Sequence, residues 1–81
     1  MSSPLDIARD EWPALRWRRG TRPRAALVGT GRYGGQRIRV VVWDDGDVNA
    51  YGDVIPRPHP VGTVSGLPLR AALRELRRRL G

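Results

Sequence analysis

Residues 25–51 read AALVGTGRYGGQRIRVVVWDDGDVNAY, and this stretch predicts the fold. Residues 25–28 are an apolar run, and Ile38 to Trp43 contains three successive valines, which favour a β-strand. Residues 44–47 (DDGD) have the composition of a tight hairpin turn, because Gly46 readily adopts positive φ. Residues 48–51 then form the returning strand. We therefore expect a meander of short antiparallel strands.

Side chains in the second of these strands should alternate between the two faces of the sheet. Arg37 and Arg39 alternate with Ile38 and Val40, and Val41 and Trp43 continue the face of the two arginines. That face is therefore expected to be basic at one end and apolar at the other.

Three glycines, Gly29, Gly31 and Gly34, match the G-x-G-x-x-G pattern of dinucleotide-binding folds. In those folds the third glycine leads into a helix whose N-terminus faces the pyrophosphate. Here strand sequence resumes at residue 38, which leaves no room for a crossover helix of about ten residues or more. We interpret residues 29–35 as a glycine-rich hairpin loop with Arg32 and Tyr33 at its tip, and we expect no cofactor.

The segments on either side of the meander predict one helix each. Ser3 suits a helix N-cap and Pro4 the first helical position, so a helix of about two turns is expected to end near Glu11. Residues 15–18 alternate between apolar and basic side chains, as a short strand does. Ser65 is the expected N-cap of an amphipathic helix that runs to Leu80.

The expected fold is α+β in one domain spanning residues 1–81. It has a small twisted antiparallel β-meander of three to five short strands, a short N-terminal helix and a C-terminal amphipathic helix. The hairpin at residues 43–51 resembles those of small SH3-like barrels in shape, over about a dozen residues. Val54 and Ile55 are expected to form a further short strand, and residues 56–60 an extended, proline-rich connector.

Charge is the most informative property of the composition. All fifteen basic residues are arginine, and eight acidic residues leave a net charge of +7. A GC-rich genome would explain arginine in place of lysine, but not the excess of positive charge. Residues 16–39 hold eight arginines and no acid, residues 40–56 have a net charge of −4, and residues 57–81 have a net charge of +5. Such segregation indicates a polyanionic partner.

The leading functional hypothesis is a non-enzymatic nucleic-acid-binding protein of bacterial or phage regulatory type, with DNA favoured over RNA. Arginines would neutralise phosphates, and Arg32 with Tyr33 would supply local readout. The residues predicted to contact nucleic acid are Arg16, Arg18, Arg19, Arg22, Arg24, Arg32, Tyr33, Arg37, Arg39, Arg74, Arg77 and Arg78.

Two other functions remain open from the sequence. The arginines would also suit an acidic protein partner, in which case the chain is an interaction module such as a phage inhibitor, an assembly component or an accessory subunit. The helical stripe that would then pair two copies as a homodimer, or pack on the sheet, consists of Leu69, Leu73, Leu76 and Leu80. A small RNA-cleaving toxin is the third hypothesis.

The sequence gives little support for catalysis, metal binding or membrane insertion. With no cysteine and one histidine, the chain offers no Ser/His/Asp or Cys/His set, so no catalytic residue is predicted. The four aspartates in residues 44–53 lack the closing glutamate of a calcium loop, and we expect a solvated turn rather than a metal site. No apolar stretch approaches the roughly 18 residues of a membrane span, and the N-terminus does not resemble a secretory signal. We therefore expect no membrane partner and a cytoplasmic location.

Overall fold

The computed structural model describes residues 3–52 and 59–80. The elements in chain order are helix α1 (Pro4–Glu11), strands β1 (Arg16–Arg19), β2 (Ala25–Tyr33), β3 (Gln36–Trp43), β4 (Val48–Gly52) and β5 (His59–Val64), and helix α2 (Leu69–Leu80). The strands form one sheet in chain order, and each neighbouring pair is antiparallel. The predicted α+β fold is confirmed.

The sheet is an open meander with β1 and β5 at its two edges. The likeness to an SH3-type barrel is therefore limited to the β3–β4 hairpin. The connector expected at residues 56–60 is wrong at its last two residues, because strand β5 begins at His59. An edge strand accommodates Pro60, since one side of its backbone needs no hydrogen-bond partner. The expected strand at residues 54–55 and the rest of the connector lie outside the described residues.

The turn between β3 and β4 is the predicted one. The Trp43 amide donates to the Asp47 carbonyl at 2.8 Å, and Gly46 adopts a φ of +94°. The Asp47 amide also donates to the Asp45 carboxylate at 3.0 Å, which closes the local turn that an Asx residue favours. Short-range chemistry therefore fixes this hairpin.

The expected glycine-rich loop is wrong in length, because β2 continues through Tyr33 and only Gly34 and Gly35 make the turn. Both turn residues have positive φ, +62° and +80°. Gly29 lies instead under the Trp17 ring, where an added Cβ would come within 2.8 Å of the ring carbons. Glycine is needed at position 29 because the Trp17 ring approaches the backbone closely there, and not because the position lies in a flexible loop.

Both helices pack on one face of the sheet. Alternation along β3 places Ile38, Val40 and Val42 on that face, and the Trp17 indole donates to the Trp12 carbonyl at 2.9 Å. The buried core consists of Ala8, Trp12, Leu15, Trp17, Leu27, Ile38, Val40, Val42, Val48, Ala50, Val64, Ala72, Leu73 and Leu76. One side of the sheet therefore holds the buried cluster of the molecule.

Helix α1 has the predicted start, since the Ser3 hydroxyl accepts from the Asp6 amide at 3.2 Å. An N-cap at Ser65 would start helix α2 at Gly66, but the helix begins three residues later, at Leu69. Gly66 has a φ of +79°, and the residue before Pro68 is disfavoured in helical conformation, so the chain turns before the helix starts. Neither of these two helices has the length and hydropathy to cross a membrane.

The leucine stripe of α2 lies against the protein's own core. Leu73 and Leu76 are fully buried within the monomer, and Leu69 and Leu80 are partly buried against the same cluster. Its two central leucines are therefore not available to a second copy.

Glu11 joins α1 to α2 through three arginines. Its carboxylate, only 7% exposed, accepts from Arg74 at 2.9 Å, from Arg70 at 3.3 Å and from Arg77 at 3.4 Å. Arg77 also donates to the Glu11 carbonyl. We call these four residues the Glu11 cluster; it lowers the pKa of Glu11, chiefly through the Arg74 hydrogen bond and against the opposing effect of burial.

Replacing Gly29 by valine is expected to destabilise the fold by about 1–3 kcal/mol, because the new side chain would press on the buried Trp17 ring. The melting temperature should fall by roughly 5–15 °C, measured by circular dichroism. Thr30→Val is the matched control, since its side chain points to the opposite face. Equal shifts in the two variants would show that close approach to Trp17 is not what requires Gly29.

The Glu11 cluster predicts a pH-dependent stability. A carboxylate whose pKa is lower in the folded state contributes stability above its unfolded pKa, about 4.3, and loses it as the pH falls through the folded pKa. Glu11→Gln should therefore cost roughly 1–3 kcal/mol at neutral pH, and the difference from wild type should shrink below about pH 4. Urea unfolding at several pH values measures this, and a difference independent of pH would contradict it.

Candidate nucleic-acid interface

The face of the sheet opposite the helices, which we call the outer face, collects side chains from four strands into one row. Arg16 pairs with Thr30, Thr30 with Arg39, and Arg39 with Tyr51. Because residues paired across a sheet point to the same side, β1 to β4 each contribute one member. Residues 35 positions apart in sequence thus lie in one line.

Two further rows lie on the outer face. Arg18, Val28, Val41 and Asn49 form one row, and Arg32 pairs with Arg37 near the β2–β3 turn. The outer face therefore carries five exposed arginines, which are Arg16, Arg18, Arg32, Arg37 and Arg39. We call them the outer-face arginines.

None of the outer-face arginines takes part in the ion pairs found among residues 3–52 and 59–80. Within the same residues, no Asp or Glu occupies an outer-face position of a strand. The acids at 44–47 lie in the β3–β4 turn, where Arg24 is 3.6 Å from Asp44 and 3.4 Å from Asp45. The described strand positions of the outer face are thus positively charged and carry no acid, and the turn acids Asp45 and Asp47 border the face at Trp43 and Asn49.

The end of the outer face near the β3–β4 turn is apolar and aromatic. Val41 is only 7% exposed although no helix covers it, and it lies outside the core cluster under the helices. A hollow of about 500 Å³ opens here, which we call the aromatic hollow. Its lining includes Arg18, Val28, Arg39, Val41, Trp43 and Tyr51.

An asparagine links the two aromatic side chains of this hollow. With its amide oxygen turned toward them, Asn49 accepts from the Tyr51 hydroxyl at 3.0 Å and from the Trp43 indole N–H at 3.2 Å. This orientation of the amide gives both donors an acceptor, which is the criterion for assigning it. Trp43 and Tyr51 are therefore held by one common partner.

A second hollow, of about 360 Å³, adjoins the first, and four of its eight lining residues are arginines. We call it the basic hollow. Its lining includes Arg16, Thr30, Arg32, Arg37 and Arg39, so that Arg39 borders both hollows. The outer face is therefore graded, from guanidinium groups at one end to aromatic rings at the other.

The predicted contact residues outside this face have other surroundings. Tyr33 lies on the helix side of the sheet, where its ring meets Trp12 edge to face with the centroids 5.2 Å apart. Arg19 pairs with Leu27 and so also belongs to the helix side, whereas Arg22 lines the aromatic hollow. Tyr33 is thus placed away from the outer-face arginines.

The predicted arginines of α2 are engaged in ion pairs within the chain. Arg74 and Arg77 belong to the Glu11 cluster, and Arg78 pairs with Glu75 at 2.6 Å. The hydrogen bond from Arg78 is the main cause that lowers the pKa of Glu75. These arginines and the outer-face arginines therefore do not form one basic surface.

Trp43, Tyr51 and Asn49 are the residues of this region that the sequence did not suggest. The alternation of β3 already placed Trp43 on the face of Arg37 and Arg39, but as an apolar end rather than as part of a site. Tyr51 joins them only through the register of β3 with β4, which pairs it with Arg39.

No protein-family model, curated protein or solved structure matches the chain. The geometry and charge of the outer face are therefore the basis for assigning a function.

Proposed function

We propose that this chain is a non-enzymatic nucleic-acid-binding protein that contacts phosphates through its outer face. The observation that carries the proposal is the set of five exposed outer-face arginines on one side of the sheet, with no acid at any described strand position of that side. DNA is the first candidate and RNA the second. A regulatory role in a bacterium or phage, and a cytoplasmic location, belong to the same proposal.

Phosphate binding follows from the properties of the guanidinium group. Arginine is always charged at physiological pH, and its planar fork matches two oxygens of a phosphate. Each phosphate that is neutralised releases counterions from the nucleic acid, which favours binding most at low salt. Several arginines spread over the outer face would therefore give an affinity that depends strongly on salt.

The distribution of ion pairs separates the arginines available for a ligand from those that stabilise the fold. Glu11 and Glu75 neutralise much of the charge of α2, since five of its arginines lie within 4 Å of Asp10, Glu11 or Glu75. The outer-face arginines have no such acid in the described chain. A polyanion would therefore bind at the sheet rather than at the helices.

The proposal predicts that binding depends on where the charge lies. The variant Arg16→Gln/Arg18→Gln/Arg39→Gln should bind random-sequence DNA at least about tenfold more weakly, and its log–log salt slope should fall by about 2–3 between roughly 50 and 200 mM salt. Fluorescence anisotropy with labelled DNA, as a single strand and as a duplex, measures both quantities. The same titration with RNA ranks the two nucleic acids.

The matched control removes the same charge from the helices. Arg9→Gln/Arg78→Gln/Arg79→Gln also lowers the formal net charge by three from +7, but its three residues lie on α1 and α2. It should keep nearly the wild-type slope, and both variants should keep their circular dichroism spectra. An equal loss of DNA affinity in the two variants would show that the outer face is not the binding surface. Undetectable binding of every nucleic acid at low salt would refute nucleic-acid binding and favour an acidic protein partner.

A further inference from the structure

We propose that the aromatic hollow is a binding site for one unpaired base, so that the ligand of the outer face is single-stranded nucleic acid. This inference rests on the proposed function and assigns its ligand class. It is carried by the juxtaposition of Trp43 and Tyr51 with an apolar floor and an arginine rim in one hollow.

The aromatic hollow offers the surfaces that a nucleotide needs. Val28 and Val41 supply an apolar floor for the flat face of a base, and Trp43 and Tyr51 supply rings for stacking. Arg39 lies at the rim, where a guanidinium group can meet the adjoining phosphate. An acidic peptide would use the charge but would leave the apolar floor without a partner.

Trp43 is the tryptophan that remains available to a ligand. Trp12 and Trp17 are 1% and 5% exposed and belong to the core, whereas Trp43 is half-buried at the surface. Asn49 holds the polar edges of Trp43 and Tyr51 through hydrogen bonds at 3.2 and 3.0 Å. Rings held in this way lose little freedom on binding, so that more of the stacking energy contributes to affinity.

The dimensions of the sheet favour a single strand over a duplex. Five strands at a spacing of about 4.8 Å span roughly 19 Å, whereas the major groove of B-DNA is about 12 Å wide and admits a two-stranded ribbon. The outer face as a whole therefore does not enter the groove. In a duplex the flat faces of the bases are also stacked on one another, so only an unpaired base can lie on the valine floor.

The two hollows give the bound strand a path. Arg39 borders both of them, so the phosphate next to a base in the aromatic hollow would lie at Arg39. The backbone would then continue over the basic hollow toward Arg16 and Arg32. Such a strand crosses the β-strands along the row Arg16, Thr30, Arg39 and Tyr51.

The test compares one DNA sequence of about 20 nucleotides as a single strand and as a duplex, by anisotropy at matched salt. The single strand should bind at least about tenfold more tightly. Trp43→Leu should weaken single-strand binding roughly 5- to 150-fold, the range for one stacked base, without changing the salt slope. Trp43→Phe should recover part of the affinity, because it restores an aromatic face.

Two controls separate base recognition from charge and from folding. Tyr33→Leu removes the aromatic residue on the opposite face of the sheet and should leave the affinity unchanged. Polyglutamate, a polyanion without bases, should compete much more weakly than the single strand.

In the wild-type protein, single-stranded DNA should quench the tryptophan fluorescence. Trp43→Leu should abolish that quenching while its melting curve shows a folded protein.

The outcomes distinguish this inference from the proposed function. If duplex binds as tightly as the single strand, or polyglutamate competes equally, the base site is overturned and phosphate binding stands. Absence of tryptophan quenching in the wild-type protein at saturation overturns the base site without any variant. If neither form of DNA, nor RNA, binds at low salt, the proposed function itself fails.

Discussion

Glu11 accepts hydrogen bonds from three arginines of α2 while its own side chain is almost excluded from water. A buried carboxylate is costly unless it is fully paired, so the arginines must remain in place for as long as the two helices stay packed. This cluster joins the two ends of the chain, and together with the core beneath it keeps both helices on one face of the sheet. It also commits Arg70, Arg74 and Arg77 to the fold, so the sheet is the main source of unbalanced positive charge in the described chain.

With both helices on one side, the alternation within each strand separates core side chains from those of the outer face. Along β3, Val40 and Val42 enter the core while Arg39 and Val41 turn to the outer face. The antiparallel register then aligns β1 to β4, so that basic and aromatic side chains from distant parts of the sequence lie in rows. An open sheet face of this kind is a broad platform, and its breadth supports the proposed binding of a flexible single strand rather than a groove.

The local elements were predictable from residues 25–51 and the flanks, because their causes are local. The acidic turn with Gly46, the cap at Ser3 and the two faces of β3 each depend on neighbours a few residues apart. The start of α2 was predicted too early, since the turn at Gly66 and Pro68 overrides the capping preference of Ser65. For the candidate site, the sequence pointed to the outer-face arginines, but it pointed equally to Tyr33 and to the arginines of α2, which lie elsewhere.

The sequence by itself determined the kind of most elements, the basic block without acids, and which side chains of one strand share a face. Tertiary structure alone decided which arginines meet Glu11, since Glu11 and Arg74 are 63 residues apart. It likewise placed Tyr33 on Trp12 and brought Tyr51 beside Arg39, and it made Gly29 a point of contact with Trp17 rather than part of a loop. The physical reason is that periodicity sets the direction of a side chain within its own element, whereas its neighbours depend on strand register and on the packing of segments far apart in the chain.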